Sequence, residues 1–192
     1  MHMLFNTPRP HATQLSSPEQ WAQPRLTVCD ADQPLVFTPE DVFRYHGYDA
    51  VGGAVLGFRL LQRAIQELSL GAIPERRDFS LFTAFPGLGA RDCFELITRM
   101  VSDQRLTLDT SFTHTAAQAG LYGSFYFRFS YRGRSIALAP ALGQPDEHFL
   151  ACGRAAKRPG ASPEDKVQWQ AAKYALANLL LDLPCEKATR IL

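Results

Sequence analysis

In the stretch "SFYFRFSY", Phe125, Phe127, Phe129 and Tyr131 alternate with Ser124, Tyr126, Arg128 and Ser130. A period of two predicts a strand with one apolar face. "YRGR" supplies a turn at Gly133, and "SIALAPAL" returns as the second arm of a hairpin that ends near Pro140, so that Leu121 to Leu142 reads as strand throughout. Upstream, Asp78 to Ala84 reads as another strand, followed by a Pro-Gly turn and a helix from about Ala90 to Val101. A different period governs the segment from about Gly53 to Leu70. There Val55, Phe58, Leu61, Ile65 and Leu68 recur at spacings of three and four, which predicts a helix burying one stripe. A short helix from Thr38 to about Tyr45 precedes it and breaks at His46-Gly47. After a solvent loop from Lys157 to Asp165, a long helix carries Val167, Ala171, Tyr174, Ala175, Leu179 and the "NLLLDL" end as its packing stripe, which is expected to cover the apolar sheet face. The pattern predicts an α+β protein in which helices pack an antiparallel sheet.

Helix starts are written into the sequence three times. "SPEQ" at Ser17, "TPED" at Thr38 and "SPED" at Ser162 each place a hydroxyl at the N-cap, proline at the first helical position and an acid or amide at the third. The segments that follow do not resemble one another, so this is a shared way of starting a helix and not an internal repeat. Residues 1–37 read as an N-terminal extension, partly extended or a short helix, before a domain over 38–192.

Composition narrows the function classes. The 192 residues are long enough to bury a core, and a net charge of +1 favours neither nucleic acid nor an acidic membrane surface. The start lacks a basic segment followed by an apolar run, and no later stretch reaches the ~20 apolar residues of a membrane helix, so a cytoplasmic protein is expected. Cys29, Cys93, Cys152 and Cys185 are scattered without a CxxC pair, which points to reduced thiols used as small hydrophobes. No GxSxG elbow, P-loop, dinucleotide fingerprint or HExxH occurs, so no reaction is assigned.

Candidate chemistry concentrates in two loops. "YHGYD" brings His46, Tyr48 and Asp49 together before the glycine-punctuated helix. Gly53 and Gly57 lie one turn apart on that helix and remove side-chain bulk from one face, for close packing or for ligand approach. "FPGLGARD" sets a glycine-rich bend containing Gly89 beside a helix start, a geometry able to accept an anion or a metal-bound ligand. Arg59 suits an anionic ligand or a surface pair with Glu67 or Asp41. His114 and His148 read as solvated or hydrogen-bonded histidines, His2 and His11 fall in a proline-broken leader, and Asp92 reads as a helix-start acid.

From Thr38 onward the chain resembles the FmdE-like family, which takes its name from a component of formylmethanofuran dehydrogenase. That family carries His-Gly-His-x-Cys-Pro-Gly ahead of a helix of the form leucine-Gly-aromatic-Arg, and "YHGYDAVGGAVLGFRLL" matches at His46, Gly47, Gly52, Leu56, Gly57, Phe58 and Arg59. "ARDCFELI" resembles the family's Asp-Ala helix, and the hairpin and closing helix follow in the same order. Tyr48, Ala50, Val51 and Gly89 stand where the family has histidine, cysteine, proline and cysteine.

The resemblance implies a pocket around the His46 loop, lined by His46, Tyr48, Gly53, Gly57, Arg59 and Gly89. It also implies zinc or another divalent metal, with His46, Tyr48, Asp49 and Cys93 as the donors available here. Two other readings stand beside it. One is a metal-free module for a small anion or a planar cofactor such as haem, for which histidine and tyrosine are known axial ligand types. The other is an interaction protein whose apolar C-terminal helix packs on a second copy, as a homodimer.

Overall fold

The structure is a computed structural model that describes residues 22–192. The Ser17 helix start, His2 and His11 lie outside the described residues. Strands β1 (Leu26–Asp30) and β2 (Gln33–Phe37) form a hairpin in the register Leu26↔Phe37 to Asp30↔Gln33. Its turn uses Ala31 and Asp32 at positive φ. The described part of the extension is therefore a paired hairpin and not a short helix, and Leu26 and Val28 are buried in the same core as the rest. Its short strands turn through Ala-Asp and lack the Asn-Gly or Asp-Gly signal that marks a hairpin in sequence.

Helix α1 (Pro39–His46) begins at the Thr38 capping box and ends at Gly47, whose φ of 98° suits glycine. Helix α2 (Val51–Leu68) follows within a few residues. Then come β3 (Phe79–Thr83), α3 (Leu88–Thr98), β4 (Leu106–Leu108), β5 (Phe127–Tyr131) and β6 (Arg134–Pro140). The chain closes with α4 (Glu147–Lys157), α5 (Pro163–Asp182), a short α6 (Cys185–Ala188) and β7 (Thr189–Ile191). Among the described residues, no helix is long and apolar enough to cross a membrane.

The main sheet has the order β4-β3-β5-β6-β7. All its pairings are antiparallel except β3 with β4, which run parallel with Leu81 opposite Leu106, so the expected antiparallel sheet is mixed at one edge. A three-residue strand is too short to show an alternation of its own. The long hairpin is also shorter than its pattern predicts: residues 121–126 lie outside the strands, and Gly123 turns there at a φ of 64°.

The layer order departs from the sequence reading. Helix α2, not the C-terminal helix, lies against the sheet, and α5 packs on the outer side of α2. Twelve of the eighteen residues of α2 are buried, and the polar residues left partly open, Gln62, Arg63, Gln66 and Glu67, lie in its C-terminal half, so its N-terminal half is enclosed. On α5 the buried residues are Ala172, Leu176, Ala177, Leu180 and Leu181, the last two in the predicted "NLLLDL" end, while Val167 and Leu179 of the predicted stripe are exposed. Helix α4 has no counterpart among the predicted elements. Its Asp146 N-cap accepts from the Phe149 amide, but Glu147-His148 at its start masks the short apolar stripe behind it.

Two contacts fix α2 in place. Against α3, a Cβ added to Gly57 would stand 2.8 Å from the Cα of Ala90, and one added to Gly89 would stand 2.6 Å from the carbonyl oxygen of Ala50. Gly57 thus serves close helix packing. Against α5, the buried Arg59 donates from Nε to the Leu180 carbonyl and from Nη2 to the Leu181 carbonyl, both at 2.8 Å, with Nη1 on Gln62. These carbonyls belong to the last turn of α5, where a helix supplies no amide partners of its own. Arg59 therefore neither faces a ligand nor pairs with Glu67 or Asp41, as the sequence reading had it. Burial pulls its pKa below the ordinary arginine value, with the charges of Cys185 and Glu186 acting in opposition.

Gly57→Ala is expected to destabilise by about 1–3 kcal/mol, the range for overpacking against backbone. Gly53→Ala, whose added Cβ meets nothing nearer than 3.7 Å, should instead be neutral or stabilising by up to about 1 kcal/mol through helix propensity. Urea unfolding of both variants separates a real glycine requirement from a tolerated one, and equal losses would contradict the α2–α3 crossing.

Candidate functional site

The crossing of α2 and α3 brings the starts of both helices to one place. The Asp49-Ala50 loop and Gly53 form one side of a cavity of about 310 Å³, and Phe85, Pro86, Gly87, Leu88 and Gly89 form the next. The far walls come from Leu121, Tyr122 and Phe125, from Pro145, Phe149 and Leu150 at α4, and from Trp169 and Leu176 on α5. Two aromatic pairs face the space: Phe85 stacks on Phe125 with centroids 4.7 Å apart, and Phe149 meets Trp169 edge-on at 4.6 Å.

The charged residues that border the cavity are Asp49, Lys157 and Lys173. Lys157 at the end of α4 places its ammonium 4.8 Å from the centre of the Tyr122 ring. Lys173 on α5 places its ammonium 5.5 Å from the Trp169 ring and donates to the Asp49 carbonyl. Burial lowers the pKa of Lys173; the Asp49 carboxylate opposes this and the Lys157 charge adds to it. The starts of α2 and α3 carry no capping side chain and no acidic residue in the first turn. Those of α1, α4 and α5 have both, from Thr38, Asp146 and Ser162 with the acids that follow. The partial positive charge at the α2 and α3 starts thus has no acid within the first turn, and Asp49, just before the α2 start, is the one carboxylate among the cavity's lining residues beside the two lysines.

His46 stands behind this wall and does not line the cavity. Its Nδ1 lies 2.6 Å from Oδ2 of Asp92, so the acid on the second turn of α3 orients the ring. Its Nε2 lies 3.2 Å from Oδ1 of Asp49 but is not aligned for a hydrogen bond, and it is buried without a partner. Tyr48 is half exposed, with its ring 5.9 Å from that of Phe43 and its carbonyl accepting from Gln170. Cys93 is fully buried in the core, where burial and the charge of Asp92 push its thiol far above the usual range.

The donors named from the sequence therefore do not assemble. Among the described residues, no group of three or more His, Cys, Asp or Glu side chains is placed to hold a metal ion. A structural zinc needs about four such donors, and the loop offers at most the His46 nitrogen with one carboxylate oxygen. Of the residues expected in the pocket, Gly53 and Gly89 line it together with Asp49, whereas His46, Tyr48, Gly57 and Arg59 do not. Sequence reasoning missed Phe85, Phe125, Phe149, Lys157, Trp169 and Lys173 as a set, because they come from four separate segments with no motif linking them.

The remaining histidines have local partners. His114 Nδ1 accepts from the Ala116 amide while its ring lies on Tyr126, and His148 Nε2 sits 3.6 Å from the Cys152 sulfur one turn along α4. A second concavity of about 350 Å³ runs between α4 and α5, but its acid, Asp146, is already engaged as the α4 N-cap. No protein-family model matches the chain, and no curated protein matches it either.

Native protein treated with a thiol reagent at neutral pH is expected to leave Cys93 and Cys185 unmodified. Both thiols are buried, and burial pushes that of Cys185 up to about 11. Peptide mapping after labelling checks this, and rapid native labelling of Cys93 would show that it is open to a metal after all.

Proposed function

We propose that the protein is a binding module for a small anionic ligand with a flat apolar body, held without a metal. The observation that supports this reading is the cavity with aromatic walls and a lip carrying Lys157, Lys173 and two uncapped helix starts. An apolar surround with a few convergent polar groups is the usual make-up of a small-molecule site. The aromatic pairs would take the body of the ligand by stacking and edge contact, and the lip would take its carboxylate or phosphate. At about 310 Å³ the cavity is at the small end of the range for such sites, which favours one or two fused rings over a macrocycle such as haem. Neither His46 nor Tyr48 borders it, so axial ligation has no support in this geometry.

A second reading rests on the buried Nε2 of His46 beside the Asp49 carboxylate. It is the metal reading in reduced form, a hydrated divalent ion on those two donors, with Asp92 orienting the ring from behind. The resemblance to the FmdE-like family favours it through the same histidine. Elemental analysis of untagged protein purified with zinc present tests it: stoichiometric zinc that disappears in His46→Ala would support this second reading.

The leading reading is tested with Trp169 as the reporter. Addition of 2-naphthoate is expected to change its emission and saturate with one site, while 2-methylnaphthalene, which lacks the charge, binds more weakly. Trp169→Phe identifies the reporter, and Phe149→Ala should weaken binding by roughly two- to tenfold, the worth of one aromatic contact at about 0.5–1.5 kcal/mol. An unchanged spectrum together with unshifted amide signals around the cavity would defeat the proposal.

A further inference from the structure

Helix α4 carries a sulfur and a nitrogen donor that the cavity does not use. His148 and Cys152 stand four residues apart, one turn along one face of the helix, and the imidazole Nε2 lies 3.6 Å from the sulfur. Cys152 is 7% exposed, while His148 is exposed and lines the groove between α4 and α5. The thiol is the inner donor and the imidazole the outer one. The acids beside them are engaged elsewhere, since Asp146 accepts from the Phe149 amide as the N-cap and Glu147 pairs with Arg154.

The separation decides what the pair can hold. With bonds of about 2.0 Å to nitrogen and about 2.3 Å to sulfur, two donors on one ion stand about 3.5 Å apart at a tetrahedral angle and about 4.3 Å apart in a line. At 3.6 Å the two atoms fall inside that span, so one ion can bridge them with little movement of either side chain. Donor number then narrows the ion. Zinc takes about four donors and only two meet here, whereas cuprous ion is satisfied by two or three and favours thiolate with imidazole.

We propose that His148 and Cys152 form a copper(I) site on α4, apart from the aromatic cavity, which neither of them lines. In binding, the Cys152 sulfur gives up its proton to solvent and bonds the metal, and His148 adds the lone pair of Nε2 as the neutral tautomer with its proton on Nδ1. Copper stays monovalent, so no oxidant or reductant takes part. A third position is left for an outside thiol, which suits the site to passing an ion on rather than to holding the fold together.

The experiment titrates the reduced full chain, without air, with copper(I) supplied as its coloured bicinchoninate complex. The chain is expected to take copper from the dye and to gain thiolate-to-copper absorption in the near ultraviolet, and excess zinc should not displace the ion. Cys152→Ser and His148→Ala should each weaken this uptake at least about tenfold, which corresponds to about 1.4 kcal/mol, while Cys29→Ser leaves it unchanged. His148→Ala alters an exposed residue, so it tests the site even where Cys152→Ser disturbs packing. Uptake equal in the natural chain and in His148→Ala, absence of the near-ultraviolet band, or displacement by zinc would each overturn the inference and leave the contact as a hydrogen bond within the helix.

Discussion

The close crossing of α2 and α3 is the contact on which the rest of the site depends. Gly57 lies under Ala90 and Gly89 lies over Ala50, with backbone approaching backbone at distances no Cβ permits. This brings the amino ends of two helices side by side, so that residues of both helix starts, Gly53, Leu88 and Gly89, border one space. Larger residues would push the helices apart, separating Gly53 from Gly89 and dissolving the wall they share. The cavity is thus a consequence of helix packing rather than of any loop motif.

Buried arginines hold the elements around that crossing. Arg59 reaches from α2 to the final carbonyls of α5, and Arg76 does the same for α3 through the carbonyls of Leu96 and Ile97, with Asp30 of the hairpin on its remaining nitrogen. A guanidinium suits the task because its fork offers several fixed donors to a helix end whose carbonyls lack amide partners. Through Arg76 the N-terminal hairpin is tied to α3, so the segment that reads as an extension takes part in fixing the helix whose start borders the cavity. The family resemblance points Arg59 at a ligand, but the helix end it serves is more than a hundred residues away in the chain.

The site itself divides into two unlike parts. Behind the wall, His46 is pinned by Asp92 and flanked by Asp49, a polar cluster whose second ring nitrogen lacks a partner. In front lies an apolar space with its cations at the rim. Asp49 joins the two: its backbone carbonyl holds Lys173 and its carboxylate lies beside His46. The His46 loop is therefore structurally central, although the residues that give the cavity its chemical character come from α4, α5 and the β3–α3 turn.

What the sequence determined by itself was local. Proline and hydroxyl-acid pairs set the starts of α1 and α5, and period two set the buried face of β5, because each depends on neighbours within a turn or a strand; the Gly53-Gly57 spacing left close packing and ligand approach both open, and only the fold assigns Gly57 to the helix crossing. Gly53 and Gly89, expected at a ligand pocket, line the cavity, and Asp49, expected as a metal donor, lies beside them. Tertiary structure decided which helix lies against the sheet, since each helix carries an apolar stripe and only packing buries twelve residues of α2 against five of α5. It also decided that Cys93 is sealed in the core and that Lys157, Lys173, Phe149 and Trp169 meet Phe85 across one space. Those residues are joined by packing over long sequence separations, and no spacing along the chain encodes a distance that only the folded layers create.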